Sequence, residues 1–357
     1  MINKIAQIGP YPPPETGWSV RIKELRLEIE RSGNFCKVLN IGSNRKVQND
    51  QYIGVQNGLD YILKLFFLRV QGYRFHIHGN AQAVKGPLLC LIANVIAVLT
   101  LKRAIMTFHG GYSQLFFPKK NAGRMLLVIY LNFLFSKKII CNDQEIKRLI
   151  CNYGPLINFK KVYPIPAFST QYLEFEKVDL PEHIQSFIKT KDFIVVSYIA
   201  VRNGFHLETL CEYIERASDK IAFVITGVGK VEDTNLEDTY QKLIGFEQTG
   251  KIIMIQSLSH DAFMSLLTIS DIYLRTPDSD GVSSSVLEAM SSGAVVVASE
   301  NGRRPEGVIT YTKDNSVDLE NKINMVLNDL QPYKSSVTKP LIKDTVSEEV
   351  KVLFDEI

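Results

Sequence analysis

The chain has 357 residues, 45% hydrophobic and 22% charged, a composition that excludes a largely disordered protein, and its length exceeds what one core fills comfortably, so two domains of about 150 to 190 residues are expected. The net charge of +3 conceals a division: residues 1–170 carry 23 Lys and Arg against 8 Asp and Glu, net +15, and residues 171–357 carry 18 against 30, net −12. A first half this basic suits an anionic partner, whether nucleic acid, an anionic membrane surface or a phosphorylated acceptor; the alternative is that its lysines are simply solvated.

Met1 to Ile8 reads as a short strand entering a loop rather than as a signal peptide. The loop Gly9 to Gly17 is rigid, rich in Pro and closed by Gly. A helix follows from Trp18 to about Ser32, with apolar Val20, Ile22, Leu25 and Ile29, and Gly33 closes it. Cys36 to Ile41 is the second strand, so the chain opens as a doubly wound sheet, without the G-x-G-x-x-G of nicotinamide enzymes. Ile53 to Val70 mixes apolar and basic residues and reads as one or two helices. Arg74 to His78 is a strand; its H-x-H has no acidic or Cys partner nearby, so no metal is expected there. Asn80 to Leu101 reads as a helix covering the sheet, too short and too interrupted by Asn94 to span a bilayer. Arg103 to Phe108 is a strand ending in His109-Gly110-Gly111, which places a His at a strand's carboxyl edge.

Phe116-Phe117-Pro118-Lys119-Lys120 precedes a very apolar helix, Met125 to Phe135. Aromatic and basic residues around such a helix suit a membrane interface; a buried helix with solvated ends fits as well. Further strands are read at Lys138 to Asn142 and Lys160 to Pro166, and residues 167–177 as the linker. The five cysteines form no C-x-x-C pair and mostly lie in apolar runs, which reads as thiols in a reducing cytosol.

Phe193 to Ile199 opens the second domain, with Arg202 in the loop behind it. Ile221 to Thr226 is a strand followed by Gly227-Val228-Gly229. Residues 270–306 then run as strand, polar loop, helix, strand, loop. The helix spans about Ser284 to Ser292 and Gly293 closes it. A loop and helix start at a strand's carboxyl end is where parallel sheets bind ligands, and backbone N–H groups at a positive helix end suit a phosphate. Asp280 in the loop and Glu288 in the helix are spaced to face one ligand.

Asp280, seven residues, Glu288, then Ala289-Met290-Ser291-Ser292-Gly293 and Val295 to Ser299 resemble the signature of retaining GT-B glycosyltransferases, in particular glycosyltransferase family 4. The sequence departs from the pattern in having Asp280 for the usual Glu, Val282-Ser283 for an aromatic and Gly, and Val295 for Pro. Tyr198 and Asn203 stand where the family usually has Arg and Lys, which leaves Arg202 as the remaining cation. The resemblance implies an α/β GT-B fold: two Rossmann-like doubly wound parallel-sheet domains facing a central cleft. It divides the chain into an acceptor-side domain (1–170), a nucleotide-sugar domain (178–335) and a tail (336–357) that packs back toward the first domain.

The resemblance also implies roles. His109, in the Thr107-Phe108-His109-Gly110 strand end, is expected near the donor sugar; Asp280 is expected on sugar hydroxyls and Glu288 on ribose hydroxyls. Gly17, Arg202, Gly227, Gly281, Val282, Ser283, Ser284, Leu287 and Glu306 are expected to complete the donor site. The implied activity is a retaining, metal-independent transfer from a nucleotide sugar, UDP- or GDP-linked, to a saccharide or polyprenyl-linked acceptor in bacterial-type polysaccharide synthesis. The implied setting is the cytoplasm, with the basic half against the inner membrane. The alternative is a non-catalytic nucleotide-sugar-binding or scaffold protein that kept the fold. No basic recognition helix stands out, so nucleic acid is not expected as a partner.

Overall fold

The computed structural model describes residues 3–13, 16–111, 114–118, 123–278 and 282–356. It divides into two compact units, Met1–Gln171 with Ile342–Ile357, and Tyr172–Leu341. The first passes directly into the second at 171–172, and the chain returns to the first unit at Ile342.

The first unit holds β1 (Lys4–Gly9), β2 (Phe35–Asn40), β3 (Arg74–Gly79), β4 (Ile105–Phe108), β5 (Lys138–Cys141) and β6 (Val162–Pro164). They form one parallel sheet in the order β2-β1-β3-β4-β5-β6. Helices alternate with the strands, as a parallel sheet requires, and both faces are covered. The first helix, Gly17–Arg31, starts from a capping box in which Thr16 and Ser19 satisfy each other's backbone N–H.

Three expectations change here. Ile53 is not helical: it exchanges backbone bonds with Val38 (2.7 Å) and Asn40 (2.9 Å), extending the sheet edge. One helix, Gly58–Val70, follows, capped by Asn57 on the Asp60 N–H. The next helix begins at Lys85 rather than Asn80, because the Asn80 side chain accepts from the Gln82 N–H and turns the chain first. Phe116 and Phe117 are not interfacial: both are buried, and Phe117 stacks on Tyr153 with ring centroids 5.9 Å apart.

The final helix, Thr345–Leu353, belongs to the first unit and is tied in by a buried charge pair. Arg21 donates to Glu349 Oε2 (2.7 Å), to Thr345 Oγ1 (2.8 Å) and to the Thr345 carbonyl (2.7 Å). The other Glu349 oxygen accepts from Thr107 (2.5 Å) and lies 3.3 Å from His76 Nε2. Burial pushes the Glu349 carboxyl up, but Arg21 and His76 outweigh it and hold the group well below the usual carboxylate range.

The second unit holds β7 (Phe193–Tyr198), β8 (Ile221–Thr226), β9 (Ile252–Ile255), β10 (Ile272–Arg275), β11 (Val295–Ser299) and β12 (Ile309–Tyr311), all parallel, in the order β12-β11-β10-β7-β8-β9. Alternate residues of β7 enter different cores, Val195 one and Val196 the other, so the strand is buried on both faces. The helix Glu237–Gln248 and the three-residue β12 were not anticipated. The helix buries only Leu243 among its apolar residues, which leaves a faint period.

Candidate functional site

In the second unit the strand order reverses between β7 and β10, which pair directly. Ligands of open α/β sheets bind outside the strand carboxyl ends at such a reversal. Here those ends are Tyr198 and Arg275. Arg275 is buried; its Nη1 donates to the Tyr198 carbonyl (3.1 Å), and its guanidinium carbon lies 5.4 Å from the Phe205 ring centroid. Arg202, in the loop after β7, lies against the same ring at 5.2 Å, is exposed, and is 4.0 Å from Glu232. Two cations therefore share one aromatic platform at the reversal.

Gly227 follows β8 with φ +81°. A Cβ there would stand 2.6 Å from the Ile199 carbonyl oxygen and 2.7 Å from the Tyr198 ring, so only glycine fits. The Asn203 N–H donates to Asp233 (2.7 Å), and its side chain pairs with that of Asn235 (3.0 Å).

Asp280 and Gly281 lie outside the described residues, but both shoulders of their loop are fixed. The Pro277 carbonyl accepts from Ser299 Oγ (2.7 Å) and from Arg304. Asp278 accepts from Lys313 (3.0 Å) and lies 3.2 Å from His206 Nε2, an ion-pair distance. His206 adopts φ +49° and bonds Asp314 through Nδ1 (2.5 Å). Burial pushes the Asp278 carboxyl up, yet Lys313 and His206 outweigh it, so it lies below the usual carboxylate range.

On the far shoulder Val282 and Ser284 are exposed, and Ser283 and Leu287 are buried. Ser283 Oγ is bonded to Ser285 Oγ (2.9 Å), and no side chain among the described residues caps the helix Ser284–Ser292. Among the described residues, its first-turn backbone N–H groups thus meet no side-chain acceptor. Glu288, in the second turn, has no hydrogen-bond or ion-pair partner among the described residues, and burial raises its pKa to about 7. Glu306 is exposed in the loop between β11 and β12.

In the first unit the reversal falls between β1 and β3. His109 follows β4; its Nε2 is 2.9 Å from His78 Nδ1, and His78 Nε2 is 2.6 Å from Gln7 Oε1. Burial pushes His109 down to about 3 and His78 well below the usual imidazole range, so both rings are neutral near pH 7. With Gln7 Oε1 accepting, His78 carries its proton on Nε2, which makes His109 the donor through its own Nε2 and leaves His109 Nδ1 as an acceptor. Trp18, one residue after Gly17, places its ring 5.0 Å from the His109 ring, and its buried indole N–H has no partner among the described residues. Gly17 itself has open space around its Cβ position.

Arg202 and Gly227 thus lie after strands at or beside the β7–β10 reversal; in the other unit Gly17 opens the helix after β1, and His109 follows β4, the neighbour of β3. Sequence reasoning did not single out Arg275, His206 or Trp18. A charge closing the apolar strand Ile-Tyr-Leu-Arg was the one signal for Arg275.

Residues 181–335 match the family described as glycosyl transferases group 1. The chain has the GT-B fold. Over 99% of both chains it superposes on HepE of Anabaena, solved with UDP-glucose, with a TM-score of 0.73 at 12% identity. The sucrose-phosphate synthase of Thermosynechococcus elongatus gives a TM-score of 0.71 at 13% identity over 99% of this chain and 98% of that one. MnaA of S. aureus, solved with UDP, gives 0.64 at 15% identity over 100% and 98%. No curated protein matches the sequence.

Proposed function

We propose that the protein is a retaining, metal-independent glycosyltransferase of the family 4 type, moving a sugar from a nucleotide sugar to a saccharide or polyprenyl-linked acceptor in the bacterial cytoplasm. The observation that carries this reading is Glu288: an acid with no hydrogen-bond or ion-pair partner among the described residues and a pKa of about 7, on a helix that no described side chain caps. Two ribose hydroxyls donating to that carboxylate would favour its charged form. The uncapped helix start, Arg202 and Arg275 supply positive charge for the diphosphate. As the anomeric carbon–oxygen bond breaks, negative charge grows on that leaving group, and fixed cations and N–H groups stabilise it. Asp280 and Gly281 in the loop, with Val282, Ser283, Ser284, Leu287 and Glu306, complete the proposed donor site, and Gly227 permits the close turn of the chain after β8 beside Tyr198. His109, neutral, serves as a hydrogen-bonding partner of the sugar, with Gly17 opening the loop beside it. A UDP-sugar is the first donor to try, because HepE and MnaA were solved with UDP or its sugar.

The test is release of nucleoside diphosphate from UDP-, GDP-, ADP- and CMP-sugars, with and without saccharide acceptors, followed by NMR of the anomeric proton in the product. Turnover of one donor with retained configuration supports the reading; inverted configuration or a requirement for added divalent metal contradicts it. A second reading, a binding protein without transfer, is favoured by Asn203, which is engaged with Asp233 and Asn235 where relatives carry a cation. Tight binding of a nucleotide sugar with neither hydrolysis nor transfer would select it.

A further inference from the structure

The helix Gly58–Val70 has two apolar faces. Tyr61, Leu65 and Leu68 enter the core of the first unit. Leu59, Ile62, Leu63, Phe66, Phe67 and Val70 recur at the helical period on the other side, and all six are exposed, Phe67 at 61% and Val70 at 72%. A soluble helix normally turns polar side chains outward at those positions, and a stripe of large apolar residues this continuous marks an interaction surface. Thirteen residues give a stripe on the order of 20 Å long.

Further exposed apolar residues lie at the end of the helix Lys85–Leu99. Arg69 donates to Thr100 Oγ1 (2.8 Å), and next to that tie Leu99 and Leu101 are exposed at 76% and 95%. Lysines surround this end: Lys4 donates to the Gln71 carbonyl (3.3 Å), Lys37 to the Gln71 side chain (3.1 Å) and Lys102 to the Gly72 carbonyl (3.3 Å). The whole first unit carries 25 Lys and Arg against 13 Asp and Glu, net +12. Two copies pairing through this face would bring like charges together. An anionic bilayer satisfies both features, because the apolar stripe enters the acyl boundary while the lysines meet lipid phosphates. No helix among the described residues is long and apolar enough to cross a membrane.

We propose that the exposed face of the helix Gly58–Val70, with Leu99 and Leu101 and the lysines at its end, docks on an anionic lipid surface. This stands on the first unit alone and does not depend on the donor site. Sedimentation with phosphatidylcholine vesicles, with and without about a third of phosphatidylglycerol, tests it. Wild type is expected to bind the anionic vesicles, to bind the neutral ones at least roughly ten-fold more weakly, and to be released by salt. The variant Leu63→Ser/Phe66→Ser/Phe67→Ser is expected to lose about ten-fold or more in binding while keeping its circular dichroism and melting temperature. The variant Lys4→Glu/Lys102→Glu leaves the stripe intact and is expected to lose the preference for anionic lipid, so the test survives if the triple variant misfolds. Absence of binding to anionic vesicles, or equal binding by a folded triple variant, overturns the proposal. So does a concentration-dependent dimer that the triple variant dissolves, which would assign the face to a second copy.

Discussion

At the residue scale, the acid Glu288 couples the candidate donor site to pH. Its folded pKa of about 7 exceeds the ordinary value of 4.5, so between those values the folded state binds more protons than the unfolded. The consequence is a stability that falls as pH rises through that window and then levels. Glu288→Gln removes the slope, and at pH 8 the variant should be more stable than wild type by about 1–3 kcal/mol. The lower part of that range is expected because the residue is only partly covered. Urea melts of both proteins at pH 5 and pH 8 measure it; parallel curves at both pH values would contradict the assignment. Gly227 offers a second test, since Ala there meets both a positive φ and the Ile199 carbonyl. Gly227→Ala is expected to cost about 1–3 kcal/mol in denaturant melts and to weaken nucleotide-sugar binding.

At the element scale, what could be read in advance followed the strength of the apolar pattern. The strand–loop–helix–strand of 270–306 was legible because β10, Gly293 and the Val-rich β11 are unambiguous signals. The helix Glu237–Gln248 was not, because its helical period is faint. That the tail packs back toward the first domain was an expectation of the resemblance, but its fastening was not legible: Arg21 and Glu349 lie 328 residues apart, and nothing local pairs them. The aromatic pair Phe116-Phe117 misled for the same reason, since only tertiary packing on Tyr153 reveals it as core. Likewise Leu63, Phe66 and Phe67 looked like ordinary helix residues until the opposite face was seen to supply the core. Removing one partner of a buried ion pair strands the other, so Glu349→Ala is expected to destabilise the protein by about 3–5 kcal/mol in urea melts. A loss below about 1 kcal/mol would mean that Arg21 finds water or another acceptor.

At the scale of the whole molecule, the two units differ in how the chain builds them. The second is one continuous stretch, Tyr172–Leu341, whereas the first needs Ile342–Ile357 from the far end. The fragment 172–341 is therefore expected to fold alone with a cooperative melt, and 1–171 without the last helix to fail, because Arg21 would be left buried without its carboxylate. Circular dichroism and thermal melts of both fragments check this; a cooperative melt of 1–171 would contradict it. The GT-B architecture was readable from alternating strands and helices together with the residues around Glu288. The cations at the β7–β10 reversal were not, because Arg275 reaches the site through strand pairing rather than through any local motif.

The most direct measurement is calorimetry of nucleotide sugars binding to wild type and to Glu288→Gln at pH 7, in two buffers of different ionisation enthalpy. The account predicts that one nucleotide sugar binds with release of a fraction of a proton, as Glu288 gains hydroxyl donors and ionises. It also predicts that Glu288→Gln binds about 10- to 100-fold more weakly with no proton release. Binding to none of the nucleotide sugars, or binding unchanged in affinity and proton release by Glu288→Gln, would contradict the proposed donor site.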